Sequence, residues 1–217
     1  MIEKKFIDSE IEKYKIMKFL EKSLGQAWIA NIDIQRTPLA TRITLETLSP
    51  GKIIGRKGKS INRLTETLKK EFNVENPQIN VAEVTQPYLE PRIVAKKACK
   101  YIEMGKKVRA VMHYLLKEIM DAGALGAEIV ASGKIGAKGA RAKTLRVCAG
   151  YIPKAGEPLH LLKRAHISAN TKSGIIGVLV RIAPPGTKFP DKDTAEKIDL
   201  PKVVENAKEI ERRGGEI

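Results

Sequence analysis

The chain has 217 residues, enough for one large domain or two small ones with a buried core. Apolar residues make up 42% and aromatics only 5%, so aliphatic cores are expected, and no run of about 18 uncharged apolar residues exists to form a transmembrane helix. The net charge is +15, yet from Pro185 onward seven basic residues meet eight acidic ones, so the excess sits in the part that must fold. Self-repulsion there costs stability, and a polyanionic partner is the simplest reason to keep it; nucleic acid leads, with an anionic membrane surface second.

In chain order, Ile11, Tyr14, Met17, Leu20 and Leu24 recur at helical spacing over residues 8 to 24. "IDIQR" and "RITLE" alternate as half-buried strands do, joined by the turn "TPLAT". Ser49 and Pro50 form an N-cap and first-turn pair for the short helix "GKII". Gly55 and Gly58 bracket Arg56 and Lys57, and a second helix follows through Ser60 to Glu71, then the alternating strand "QINVAEV". "TQPYLEPR" places a boundary near residue 86.

Beyond it, Val94, Ala95, Ala98, Cys99 and Ile102 mark one helix, and Val108, Met112, Leu115, Leu116 and Ile119 a second. Four strand-like runs follow: "AEIVAS", "KTLRVCAGY", "LHLLKRAHISAN" and "IIGVLVRIA". Two helices then a run of strands predict an α+β layer with both helices on one face of a small sheet. The remainder, 185–217, is charged and Pro-punctuated, a flexible tail with one helical piece near 201 to 213.

A GxxG by itself is weak, since the chain contains five. The one at Gly55 differs in context: the glycines let a backbone come close, the new helix N-terminus favours a phosphate, and Lys52, Arg56, Lys57, Lys59 and Arg63 supply charge. The competing reading is a turn between packed helices with solvated charges; the element order favours the RNA-binding one. A second basic surface spans residues 132 to 172, where Lys134, Lys138, Arg141, Lys143, Arg146, Lys154, Lys163, Arg164 and Lys172 face one acid, Glu157. Arg92, Lys96 and Lys100 recur every four residues as a like-charged stripe that an opposing anion would steady, and Lys106, Lys107 and Arg109 continue it. Tyr114 and Tyr151 are the main aromatic candidates. With few aromatics, reading a folded RNA by its phosphates and shape is expected.

His113, His160 and His166 have no metal-ligand spacing, no catalytic constellation is visible, and no cofactor is expected. Cys99 and Cys148 read as two buried thiols in a reducing, cytoplasmic compartment, and the polar start "MIEKKFIDSEIEKYK" is no secretory signal.

"IDIQRTPLATRITL", "IIGRKGKSINRLTETLKKEFNVENPQI", "IMDAGALGAEIVASGKI" and "IIGVLVRIAPP" together resemble, in order, ribosomal protein number three of the small subunit in its archaeal and eukaryotic form. The resemblance covers about residues 5 to 186. It implies an N-terminal type II KH domain over 1–86, whose GxxG clamps single-stranded RNA, and an α+β domain over 87–184. It further implies a structural, non-enzymatic role in the head of the small subunit. The implied partners are small-subunit ribosomal RNA, neighbouring ribosomal proteins and messenger RNA where it enters. Lys57 stands where many relatives have glycine, which makes the loop more basic. Of the helix cluster that unwinds messenger RNA in bacterial members, Arg109 is retained while His113 and Tyr114 replace charges, so the resemblance does not by itself imply that role. The alternative implied by some eukaryotic relatives is an abasic-site lyase or endonuclease, which needs an activated lysine that nothing in the sequence selects.

Overall fold

The computed structural model describes residues 2–37, 40–72, 74, 76–136 and 141–190. The expected turn at Pro38, Lys138 and the helical piece near 201 to 213 lie outside them.

The chain begins with α1 (Ile2–Ser23), six residues earlier than the apolar spacing indicated, because its polar first turns are good helix formers. Ile16 and Leu20, four apart and fully buried, fix its C-terminal half to a sheet. That sheet has the order β1 (Ile29–Arg36), β2 (Thr41–Thr47), β3 (Pro77–Glu83), with β1 and β2 antiparallel and β2 and β3 parallel. The parallel step needs a crossover, supplied by α2 (Pro50–Ile54) and α3 (Lys59–Phe72). Alternation puts Ile43 and Leu45 of β2 in the core with Ile53 of α2 and Leu68 of α3, and Phe19 closes the edge against Phe72 with ring centroids 5.3 Å apart.

A single 3-10 turn at Pro87–Leu89 leads to α4 (Pro91–Glu103), and α5 (Val108–Asp121) follows after a turn at Gly105. A second sheet then forms with the order β5 (Lys143–Gly150), β4 (Gly126–Gly133), β7 (Gly174–Ala183), β6 (Lys163–Thr171), antiparallel throughout. Ala127, Ile129, Ala131, Val178, Val180 and Ile182 point to one face and meet Ala98, Met112, Leu115 and Ile119 of the two helices. The α+β architecture is therefore the expected one: a KH-type unit, then a two-layer unit with both helices on one sheet face. Helix α4 also touches β1 of the first unit.

Three local expectations are corrected. "LHLL" is not strand: Pro158 and the preceding Gly156 (φ 77°) favour a 3-10 turn over Glu157–Leu161, and β6 begins only at Lys163. Cys148 is exposed, because it alternates with the inward Val147 and Ala149; only Cys99 is buried. Packing also continues into 185–190, where Phe189 is 2% exposed against Leu162 and Ala183, its ring 5.2 Å from Tyr151. Tyr151 is thereby committed to packing.

Candidate nucleic-acid interface

At the first glycine loop the backbone itself is the device. Gly55 has φ 69° and ψ −178°, a region open essentially to glycine alone, and its N–H donates to the Gly51 carbonyl at 3.0 Å. A Cβ there would stand 2.7 Å from Cβ of Ser60, so glycine lets α2 and α3 nearly touch. Arg56–Gly58 forms one 3-10 turn in which Lys57 takes left-handed angles, φ 52° and ψ 31°. The turn displays Arg56 and Lys57, and Lys52, Lys59 and Arg63 are exposed beside it. Among the described residues none of these five cations has an acidic partner within 4.0 Å. Ile53 anchors the loop in the core while Ile54, 41% exposed, leaves an apolar spot beside it. A cleft of about 500 Å³ between Lys22, Ser23, Lys52 and Ser60 adjoins the loop. The Ser49 side chain forms no cap; its N–H instead donates to Thr47 Oγ1 at 3.2 Å, because the Thr47 hydroxyl is already held by the Ala27 carbonyl.

On the second sheet no helix among the described residues covers the face opposite α4 and α5. It carries Arg146 of β5, Glu128 and Val130 of β4, Leu179 and Arg181 of β7, and Arg164 and His166 of β6. Glu128 is 1% exposed and ion-paired to both Arg146 and, at 3.2 Å, Arg181. Neither Glu128 nor Arg181 was foreseen as part of the site. The signal was present in the acid inside an apolar strand, since a buried carboxylate needs cations within reach. Arg164 lies opposite Arg181 across β6 and β7, and it has no acid partner among the described residues. His166 lies over Gly177, with Nε2 3.1 Å from where a Cβ would be. Lys134, Arg141 and Lys143 are exposed around the β4–β5 connection.

The stripe on α4 faces the first unit, with Arg92 and Lys96 partly buried and Lys100 exposed. Arg92 pairs with Glu21 of α1, and the Lys100 ammonium lies 5.7 Å from the Trp28 ring. Lys96, half-buried between them, has its pKa lowered by burial and then by Arg92, with Glu21 opposing. The anion expected across this stripe is thus supplied in part by Glu21 of the chain itself. On the other flank, burial pulls the Lys97 pKa down, but hydrogen bonds with Glu118 at 2.8 Å and Tyr88 carry it above the usual value. Lys163 is ion-paired with Glu90. Lys107 and Arg109, at the start of α5, are exposed, as is Tyr114.

Comparisons with known proteins bear on both units. A family model described as a KH domain matches residues 15–89, and one described as ribosomal protein S3, C-terminal domain, matches residues 98–182. The small ribosomal subunit protein uS3 of Methanococcus maripaludis strain C5 is 38% identical over 206 residues, covering 94% of this chain and 97% of that protein. The chain belongs to the uS3 family. Its counterpart in Methanocaldococcus jannaschii is 40% identical over 193 residues, covering 88% and 92%, and that of Methanobrevibacter smithii 40% over 192, covering 88% and 76%. Membership makes this a structural protein of archaeal type and not an enzyme. No helix among the described residues is long and apolar enough to cross a membrane.

Proposed function

We propose that the chain is a cytoplasmic structural component of the small ribosomal subunit that docks onto small-subunit ribosomal RNA in the head. Its units divide near residue 86, and the KH loop lies towards the channel through which messenger RNA enters. The observation carrying this reading is how the cations are used. Arg92, Lys97, Arg146, Lys163 and Arg181 are neutralised by acids of the same chain. Lys52, Arg56, Lys57, Lys59, Arg63, Lys107, Arg109, Lys134, Arg141, Lys143 and Arg164 have none within 4.0 Å among the described residues. Those unpaired groups lie on the KH loop, at the start of α5 and around the second sheet, and a polyphosphate backbone neutralises all of them at once.

Docking of this kind needs no moving part. Cations fixed on strand and helix surfaces meet phosphates of an already folded RNA, while the chain's few aromatic residues leave base stacking a minor contribution. Neighbouring proteins of the subunit complete the surroundings. The test is sedimentation with small subunits: the protein co-sediments at low salt and is stripped at high salt. A protein that never enters the small-subunit fraction would overturn the proposal.

A further inference from the structure

We infer that a cleft at the end of the second unit farthest from Tyr151 is a phosphate cradle for a sharply bent stretch of ribosomal RNA. This rests on the docking function proposed above and assigns it a specific seat. The cleft has a volume of about 580 Å³ and lies where the α4–α5 turn, the segment leaving β4 and the β6–β7 hairpin converge. Lysines from these three segments line it: Lys106, Lys134 and Lys172. Ile102 and Ile176, both buried, form its floor.

The charge in this cleft is unspent. Among the described residues none of the three lysines has an acid within 4.0 Å. The one acid of the lining, Glu103, accepts the Asn170 N–H at 3.1 Å and keeps its charge, so three lysines against one carboxylate leave the lining positive. The hydroxyls are also committed: Thr171 donates to the Gly174 carbonyl at 2.6 Å and lies 3.1 Å from the Ser173 hydroxyl. What remains to a ligand is concentrated positive charge.

Two of the lysines are positioned before anything binds. The Lys106 ammonium lies 4.2 Å from the centre of the Tyr101 ring, and the Lys106 N–H donates to the Tyr101 carbonyl. The stem of Lys134 lies over Gly174, its Cδ 3.8 Å from where a Cβ would be. Such ordering lowers the conformational entropy lost on binding. Lysine ammoniums are compact point charges that each meet a single phosphate oxygen, and the phosphates of the ribosomal RNA of the proposed docking are the polyanion at hand. A concave seat lined by three lysines fits phosphates that a tight RNA turn brings together.

The test measures binding of the full chain to a small-subunit ribosomal RNA transcript across salt concentrations. Simultaneous Lys106→Gln, Lys134→Gln and Lys172→Gln should reduce the slope of log affinity against log salt by about 2 to 3. Replacing the exposed Lys4, Lys15 and Lys18 of α1 with Gln, where five acids nearly offset six lysines, should leave the slope unchanged. In the wild-type chain, acylation of Lys106, Lys134 and Lys172 read by mass spectrometry should be suppressed by the transcript, a readout that needs no variant. Equal slope losses in both triple variants, no loss in the cleft variant, or protection by an acidic peptide but not by RNA would each overturn the cradle while leaving the docking function standing. A wild-type chain with no affinity for the transcript would overturn both.

Discussion

Arg92 at the start of the second unit is ion-paired with Glu21 near the end of the first helix, so a contact spanning 71 positions ties the KH unit to the helix that opens its neighbour. Lys100, two turns further along α4, lies over Trp28 of the same unit. Both partners of the ion pair are about one-third exposed, so the coupling is modest. A double-mutant cycle of Arg92→Gln and Glu21→Gln, read by thermal unfolding, should give about 0.5–1 kcal/mol at low ionic strength and much less in high salt. A coupling of zero at both would show that the two units hold together without it.

Glu128 carries the opposite expectation. It is buried in the sheet between two arginines that are themselves partly exposed, so its removal leaves Arg146 and Arg181 facing each other unneutralised. Glu128→Gln should cost about 1–3 kcal/mol and lower the thermal midpoint by several degrees. The same change should cost less in an Arg146→Gln, Arg181→Gln background. Equal costs in the two backgrounds would show that the loss does not come from the pairing with the arginines.

The two thiols should separate by reactivity. Burial, followed by the nearby Glu103 carboxylate, pushes the Cys99 thiol up to about 11, so at pH 8 it is almost wholly protonated as well as shielded. Cys148 is exposed. Native protein treated with a maleimide at pH 8 should take one equivalent, mapped to Cys148 by mass spectrometry, and a second only in denaturant. Prompt labelling of both would mean that Cys99 is reached by local opening.

In the KH loop, Gly55→Ala forces a Cβ against Ser60 and a disallowed backbone, and should destabilise the first unit by about 2 kcal/mol or more. Lys57→Gly should act in the other direction, relieving about 1 kcal/mol of left-handed strain while weakening binding to single-stranded RNA. If Lys57→Gly left RNA affinity intact, the strained lysine would have no role in binding.

Replacing Arg56 and Lys57 together with Asp should lower single-stranded RNA affinity at least tenfold yet leave incorporation into the small subunit largely unchanged. Loss of incorporation, seen by sedimentation, would move the anchoring surface from the second unit to the loop.

Periodicity carried most of the fold. The inward residues of β2, β4 and β7 and the apolar faces of α4 and α5 were legible because one buried face imposes a fixed repeat. Where that repeat lost meaning, reading failed. "LHLL" is apolar enough for a strand, yet the Pro158 turn decides its shape. Cys148 was misplaced because an apolar-looking residue on an uncovered sheet face carries no mark of its exposure. The site was legible as charge but not as pairing. Sequence spacing put Arg92, Lys96 and Lys100 on one helix face, but only tertiary packing shows that this face meets Glu21 and Trp28. Glu128 with Arg181 was missed for the same reason: two residues far apart in sequence become neighbours through strand register alone.

The order of the second sheet leaves β5 and β6 outermost, each with one edge that no other strand among the described residues pairs. Lys143 studs one rim and Arg164 the other, neither with an acid partner within 4.0 Å among the described residues. Two free molecules trying to zip together rim to rim would bring like charges face to face, which discourages self-aggregation. The residues suited to gripping a ribonucleic scaffold would therefore also keep newly made copies apart until that scaffold is available.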